Sequence, residues 1–187
     1  MKKKRLGVLA GAFNPVTMAH LALADAASRM VDEVVCAVPR VYPHKEFHGA
    51  ALEDRIKMLK LTGGQYRVEI TERGLFIDIA RELRRADNEI FFICGRDAAE
   101  RIIDWDYGED GAIEKMLDEF SLIVAERGGV YQPPEHLRNR VLHLELETDL
   151  SGISSTEVRG RVANGAPWEH LVPSAIVEHV RRIYAAA

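Results

Sequence analysis

Thr17 and His20 could act together on a phosphate, and both lie in the stretch GAFNPVTMAH. A spacing of three places them on one face of a first helical turn, where both can reach the same small group. Gly11 lets the backbone approach a ligand closely, and Asn14-Pro15 holds the turn extended. A helix that begins near Thr17 presents N–H groups and a positive dipole end, so this stretch predicts a phosphate site.

The same residues also fit a structural interpretation, in which Thr17 caps the helix and His20 is an ordinary surface or core histidine. Two observations favour the functional interpretation. The pair stands behind a Gly-x-Phe-Asn-Pro turn that directly follows the strand-like run LGVLA, and a protonated histidine at a helix N-terminus is disfavoured unless an anion lies in front of it. The stretch has neither the P-loop pattern nor the Gly-x-Gly-x-x-Gly dinucleotide pattern.

A second stretch, GISSTEVRG, has a similar character. Ser154 and Glu157 match a capping box, so the stretch could be only a well-formed helix start. However, the three successive hydroxyls of Ser154, Ser155 and Thr156 exceed what a cap requires. Arg159 is a cation in the early turns of a helix, where the dipole disfavours it. A polyphosphate bound here would use the hydroxyls and Arg159, while Glu157 serves the cap.

Together the two helix N-termini suit a nucleoside triphosphate, because one carries a histidine and the other carries hydroxyls and an arginine. The reaction class is then phosphoryl or nucleotidyl transfer, which depends on positioning and charge stabilisation rather than on covalent catalysis. No Ser-His-Asp or Cys-His pattern in the sequence competes with this interpretation.

The elements that must position these stretches alternate along the chain. Apolar, strand-like runs lie at residues 5–10, 33–39, 66–70, 89–95, 121–126 and 141–144. Helical patterns lie at residues 18–30, 52–61, 76–85, 97–103, 113–119, 155–164 and 173–185. Runs such as EIFFIC are apolar throughout, as in a parallel sheet covered on both faces. We therefore predict one α/β domain over residues 1–187, a doubly wound, Rossmann-like, mostly parallel sheet with helices on both faces.

The composition excludes several classes of function. A net charge of −4 provides no basic surface for nucleic acid. Apolar segments fall short of the roughly 18 residues of a membrane span, and none resembles a signal peptide. Cys36 and Cys94 lie within apolar runs, which indicates core thiols and a cytoplasmic protein. A homo-oligomer is compatible with the sequence, which does not fix the oligomeric state.

The two stretches resemble the nucleotidyltransferase family with the (His/Thr)-x-x-His signature, and most of all its nicotinate- or nicotinamide-mononucleotide adenylyltransferases. The similarity extends over nearly the whole chain through VPRVYPHK, LEDRIKML, FFICGRDAAERIIDW, FSLIVAERG and LVPSAIVEHV. Such enzymes join ATP and a pyridine mononucleotide to give the dinucleotide and pyrophosphate. The resemblance therefore implies this activity, in NAD biosynthesis.

The resemblance also implies roles for individual residues. His20 stabilises the α-phosphate of ATP with Thr17 beside it, and Arg159 helps to hold the departing pyrophosphate. Trp105 stacks on the pyridine ring. The other implied contacts with ATP are made by Gly11, Ala12, Phe13, Gly95, Asp97, Ile153, Ser154, Ser155 and Thr156, with Gly95 and Asp97 at the ribose. The other implied contacts with the mononucleotide are made by Asn14 and Lys45.

Some of these residues have alternative interpretations. Lys45 could be a surface lysine, Asp97 a helix cap and Trp105 a core residue. Magnesium is the implied cofactor, and it would arrive on the phosphates of ATP because the sequence shows no carboxylate cluster for a dedicated metal site.

The chain also departs from the family. Thr17 replaces the histidine that is usual in bacterial members, and Arg96 stands where a small residue is usual. The segment RGLFIDIARELRR lacks the YT-x-x-T that nicotinate-type members carry near the pyridine carboxylate. The choice between nicotinate and nicotinamide therefore stays open at the level of the sequence.

Three rival functions remain. The first is transfer to another phosphorylated acceptor, such as phosphopantetheine or a phosphorylated alcohol, and Trp105 with LVPSAIVEHV argues against it. The second is a fragment of a class I aminoacyl-tRNA synthetase, which would need a longer chain, a lysine-rich loop and a basic surface. The third is a nucleotide sensor without catalysis, and the joint presence of His20 and Arg159 argues against it.

Overall fold

Six parallel strands form a single sheet in the computed structural model, which describes residues 2–42, 48–105, 108–126, 131–148, 150 and 152–185. The strands are β1 (Lys4–Ala10), β2 (Glu33–Val41), β3 (Arg67–Arg73), β4 (Asn88–Gly95), β5 (Ser121–Ala125) and β6 (Val141–Leu144). The α-helices are α1 (Met18–Ser28), α2 (Leu52–Leu61), α3 (Phe76–Leu83), α4 (Arg96–Ile103), α5 (Ala112–Glu119), α6 (Ser155–Ala163) and α7 (Val177–Tyr184).

The strand order is β3-β2-β1-β4-β5-β6, which confirms the predicted doubly wound α/β fold. The chain winds outward from β1 to β3 on one side and then crosses to β4 on the other side of β1. In such sheets the crevice between the two central strands, at their carboxyl ends, is where ligands bind. The topology therefore places the candidate site beyond Ala10 and Gly95, the last residues of β1 and β4.

Both faces of the sheet are buried, because successive strand residues point to opposite sides. Val8 of β1 packs in a layer with the buried faces of α3, α4 and α5. Its neighbour Leu9 packs in the other layer, with α1, α2, α6 and α7. This two-sided burial explains why the central strands are apolar throughout and do not alternate.

Helix α3 makes two stabilising contacts, one with an aromatic side chain of β4 and one with the backbone of the edge strand β3. Phe76 stacks on Phe92 of β4 with ring centroids 4.1 Å apart. The Glu82 carboxylate accepts hydrogen bonds from the backbone N–H groups of Glu72, at 3.0 Å, and Arg73, at 3.4 Å. An edge strand with paired N–H groups is a poor template for aggregation, so α3 both packs on the sheet and protects the end of β3.

The two cysteines match their prediction, while the helical elements near the C-terminus differ from theirs. Cys36 and Cys94 are free and buried, as predicted, and burial raises the pKa of each thiol to about 12. The last predicted helix starts as the 3-10 turn Ser174–Ile176 and continues as α7, and two further 3-10 turns, Glu135–Arg140 and Glu169–Leu171, were not predicted. Among the described residues, no helix has both the length and the apolar character needed to cross a bilayer.

Candidate active site

Segments at the carboxyl edge of the sheet supply most of the residues predicted to act. Residues 11–17 connect β1 to α1, Arg96 opens α4 directly after β4, and residues 152–154 lead into α6. Because β1 and β4 are hydrogen-bonded neighbours, their carboxyl ends meet at the topological switch point.

Thr17 and His20 are in direct contact at the start of α1. Thr17 is the N-cap residue, with extended backbone and no exposed surface. The Nδ1 atom of His20 accepts the Thr17 backbone N–H at 3.0 Å and lies 2.8 Å from Thr17 Oγ1. Because a backbone N–H only donates, Nδ1 of the neutral ring holds the lone pair and Nε2 carries the proton.

Phe13 supports the imidazole from the turn before α1. It has a φ of 48°, unusual for a residue other than glycine, and is 1% exposed. Its ring centroid lies 5.0 Å from that of His20. Contacts with Thr17 and Phe13 therefore fix both the tautomer and the orientation of the His20 ring.

The N-terminus of α6 meets this turn. Ser155 Oγ donates to the carbonyl of Pro15 at 2.7 Å, and Arg159 Nη1 donates to the carbonyl of Asn14 at 2.6 Å. Arg159 Nη2 also donates to Thr156 Oγ1 at 3.4 Å. The two stretches are about 140 residues apart in the chain, and the structure brings them into contact at one edge of the sheet.

The α6 N-terminus forms only the Ser154 half of the predicted capping box, because the Glu157 carboxylate pairs with Arg161 instead of serving the cap. Ser154 Oγ accepts the backbone N–H of Glu157 at 3.0 Å. The Glu157 side chain contacts Arg161 Nε at 2.6 Å, so this carboxylate pairs along the helix. The cap leaves the first-turn N–H groups of Ser155 and Thr156 at the helix N-terminus, beside Arg159.

Asn14 is buried, and its polar atoms contact protein groups on three sides. Its Oδ1 accepts the backbone N–H of Ala50 at 3.0 Å and the hydroxyl of Tyr184, and its Nδ2 donates to the His48 carbonyl at 3.3 Å. Gly49 packs so closely that a Cβ there would lie 1.9 Å from Asn14 Nδ2. The predicted contact of Asn14 with the mononucleotide remains a prediction, since its amide already joins the turn to residues 48–50.

Arg55, a residue that sequence reasoning did not select, lies beneath the same turn. It is 3% exposed and donates to the carbonyls of Ala12 and Ala50 at 3.0 and 3.1 Å, and to the Tyr42 hydroxyl at 2.7 Å. A weak signal exists, because Arg55 precedes Met58 and Leu59 by three and four residues and so shares the buried face of α2.

Two surface cavities, of about 320 and 440 Å³, lie at the opposite, amino-terminal edge of the sheet. Their charged lining includes groups that pair with one another, such as Lys4 with Glu33 at 2.7 Å and Arg140 with Asp118 at 3.0 Å. The described residues that line these two cavities include none of those predicted to bind phosphate.

The model of the cytidylyltransferase-like family matches residues 8–161 of this chain. The chain belongs to this family. A probable nicotinate-nucleotide adenylyltransferase from Frankia casuarinae is 34% identical, and the match covers 96% of this chain and 100% of that protein. One from Moorella thermoacetica is 30% identical over 95% of this chain and 89% of that protein. Their identity and coverage show that the chain belongs to the same nucleotidyltransferase family as these nicotinate-nucleotide adenylyltransferases.

Solved structures agree with this fold. The Plasmodium falciparum nicotinic acid mononucleotide adenylyltransferase complexed with NaAD superposes with a TM-score of 0.72 at 18% identity, covering 94% of this chain and 96% of that one. The same protein complexed with APC gives a TM-score of 0.69 at 17% identity. At these identities the likeness shows a shared fold.

The other predicted residues of this nucleotidyltransferase include two at the start of α4, next to Arg96, and one exposed tryptophan. Gly95 is the N-cap residue of α4, and Asp97 is exposed in its first turn, so Asp97 is not the cap. Trp105 is 60% exposed, which excludes the interpretation as a core residue. Arg96 pairs with Glu100 at 2.7 Å.

Gly11 and Ile153 are half-buried beside the two helix tips. Lys45 lies outside the described residues.

Proposed function

We propose that the chain transfers the adenylyl group of ATP to nicotinate mononucleotide, forming the adenine dinucleotide and pyrophosphate in NAD biosynthesis. An oxygen of the mononucleotide phosphate attacks the α-phosphorus of ATP, and the bond from that phosphorus to the β-phosphate oxygen breaks. The observation that carries this proposal is that Ser155 and Arg159 of α6 bind the carbonyls of Pro15 and Asn14, in the turn that leads into α1. One triphosphate can then be held from both ends.

In this proposal His20 stabilises the charge that develops on the α-phosphate. Its Nε2 carries the proton because Nδ1 accepts the Thr17 N–H, so the ring can donate toward an oxyanion. The attacking phosphate is already ionised near neutral pH and needs no strong base. Oriented donors that require no rearrangement are the most effective form of such stabilisation.

The α6 N-terminus and Arg159 are proposed to bind the departing pyrophosphate. Anions bind well at helix N-termini, where N–H groups and the dipole act together. Among the described residues, the bonds of Arg159 to Asn14 and Thr156 use two of its five N–H donors. These bonds fix the guanidinium in place before any phosphate arrives.

The other assignments follow from the family and remain proposals. The start of α4, with Gly95 and Asp97, would contact the adenosine ribose, and Gly11, Ala12, Phe13 and Ile153 would line the ATP site. Lys45 would contact a phosphate.

Magnesium is proposed to enter with ATP. Mg²⁺ commonly binds substrate phosphates together with water. The hydroxyl, imidazole and guanidinium groups of the two helix tips suit the anionic phosphates rather than a cation. Bound Mg²⁺ would neutralise part of the phosphate charge. We also place the reaction in the cytoplasm, where free thiols such as Cys36 and Cys94 stay reduced.

The preferred acceptor is nicotinate mononucleotide in this proposal, because the similar curated proteins carry that activity in their names. One observation keeps a different phosphorylated acceptor as the second candidate. Leu75, in the segment that lacks the YT-x-x-T of nicotinate-type members, is 44% exposed at the start of α3, and it offers no side-chain hydrogen bond to a carboxylate.

A paired assay tests the acceptor. The protein is incubated with Mg-ATP and, separately, nicotinate mononucleotide, nicotinamide mononucleotide or phosphopantetheine, and both pyrophosphate and product are measured. We expect the highest kcat/KM with nicotinate mononucleotide. Turnover with phosphopantetheine alone would favour the second candidate function. Tight ATP binding without any turnover would indicate a nucleotide sensor.

Replacing Trp105 with alanine tests the pyridine contact. We expect the KM for the mononucleotide to rise about 3- to 10-fold, since an aromatic stack contributes about 0.5–1.5 kcal/mol, while the KM for ATP stays constant. Leu61→Ala is the matched control, because Leu61 is also an exposed apolar residue but ends α2 at the far edge of the sheet. An equal rise in both KM values would contradict the assignment.

A further inference from the structure

The C-terminal helix α7 contributes a side chain to the candidate site. The hydroxyl of Tyr184, at the end of α7, donates a hydrogen bond to Oδ1 of Asn14, 170 residues away in the chain. The helix lies outside residues 8–161, which the family model matches. The acceptor, Asn14, is 3% exposed and stands in the turn between β1 and α1.

The orientation of the Asn14 amide follows from its partners. The backbone N–H of Ala50 only donates and the carbonyl of His48 only accepts, so Oδ1 faces Ala50 and Nδ2 faces His48. Tyr184 must then be the donor to Oδ1. Burial raises the pKa of the Tyr184 phenol, so the hydroxyl keeps its proton at neutral pH.

The main chain of Asn14 connects this contact to the proposed phosphate site. Its carbonyl accepts the 2.6 Å hydrogen bond from Arg159 Nη1. The side chain and the carbonyl of a single buried residue therefore join α7 to the guanidinium of α6. A change in the side-chain contacts of Asn14 will shift the position of its carbonyl oxygen, because a close-packed interior transmits small displacements.

We propose that Tyr184 is a positioning residue, which acts through Asn14 to hold Arg159 in place for the triphosphate. The inference rests on the proposed function in one respect, that Arg159 binds the phosphates. The hydroxyl is not needed to dock the helix, because Ile176 and Val180 are fully buried and anchor this segment by apolar packing. Removing the hydroxyl alone should disturb the site and leave the helix in place.

Tyr184→Phe is the direct test. We expect kcat/KM for Mg-ATP to fall about 3- to 30-fold, the scale of one lost buried hydrogen bond, with a similar loss in Mg-ATP binding. Tyr66→Phe is the matched control. Tyr66 is also half-buried and donates to the Leu59 carbonyl at 2.9 Å, but it lies between α2 and β3, at the opposite edge of the sheet.

A double-mutant cycle with Arg159→Ala distinguishes positioning from a general structural role. If Tyr184 acts through Arg159, Tyr184→Phe will cause no further loss of kcat/KM or of Mg-ATP affinity in the Arg159→Ala background. Equal losses in both backgrounds would overturn the proposal. So would an unchanged Tyr184→Phe variant, or a Tyr66→Phe variant that loses as much activity.

The cycle also separates this inference from the proposed function. If the wild-type protein does not turn over any pyridine mononucleotide, the proposed function is wrong. The double-mutant cycle can then still be measured from the Mg-ATP affinities of the variants. Thermal unfolding of all variants accompanies the cycle. Non-additive losses of Mg-ATP affinity in variants that keep wild-type thermal stability support the positioning role. Losses of Mg-ATP affinity that occur only in proportion to losses of thermal stability overturn it.

Discussion

Replacing His20 with alanine should lower kcat by roughly 10²- to 10³-fold, the scale for removing one donor that stabilises a transition-state charge. The loss should appear in kcat more than in the KM for ATP, because the charge on the α-phosphate grows only as the reaction proceeds. The imidazole is held by Thr17 and Phe13, so its contribution depends on an orientation that the fold has already established. Steady-state kinetics with Mg-ATP and nicotinate mononucleotide provides the measurement.

His170→Ala is the matched control, since His170 is an exposed histidine in the 3-10 turn Glu169–Leu171. It should keep wild-type kinetics. Circular dichroism and thermal unfolding should show that both variants are folded. A His20→Ala enzyme with nearly normal kcat would remove His20 from the mechanism, and a variant with raised KM and unchanged kcat would make it a ground-state binding residue.

The fold was largely predictable because each element carries its own signal. The central strands are buried on both faces, so runs such as EIFFIC stand out without alternation. The strand order was not predictable in detail. Local sequence patterns specify neither the pairing of β1 with β4 nor the direction of each crossover. The 3-10 turns escaped prediction because they are too short to show a hydrophobic period.

The site was predictable where its residues are close in sequence. Thr17 and His20 are three positions apart and follow a strand-like run and a turn, and the α6 tip is a continuous stretch, so both could be selected from the local sequence. Arg55 and Tyr184 were not recognised as part of the site. The Ala12 carbonyl that Arg55 contacts is 43 residues away, and the Asn14 oxygen that Tyr184 contacts is 170 residues away.

For Tyr184 the separation in sequence is the reason, and for Arg55 the chemistry of its main-chain partners adds to it. A main-chain carbonyl exists at every position and leaves no trace in the sequence, so a side chain that binds carbonyls has no recognisable partner. Arg55 carries only the weak signal of its place on the apolar face of α2, and the structure is needed to show that it is buried. Residues of this kind must be found by burial and hydrogen bonding.

Arg55 has the largest expected effect on stability. Its guanidinium joins three segments, through the carbonyls of Ala12 and Ala50 and the hydroxyl of Tyr42. Two opposing contributions decide the outcome of removing it. A buried cation costs desolvation energy, and replacing buried charges with apolar residues can even stabilise a protein when all the partners are replaced together. Here the partners include main-chain carbonyls, which stay in place and lose a charged donor.

We therefore expect Arg55→Met to lower the free energy of unfolding by about 2–4 kcal/mol, since each bond to a charged donor contributes about 1.5–3 kcal/mol and part of this is offset by the desolvation recovered. Methionine keeps most of the apolar stem, so the change reports the guanidinium. Urea denaturation measures it. Arg182→Met is the control, because Arg182 is an exposed arginine that meets α2 only through Asp54 at 3.7 Å among the described contacts, and it should change stability by less than about 0.5 kcal/mol. Equal effects of the two substitutions would mean that the buried bonds of Arg55 add nothing to stability, and the turn that carries Ala12 would then have to be held in place by Asn14.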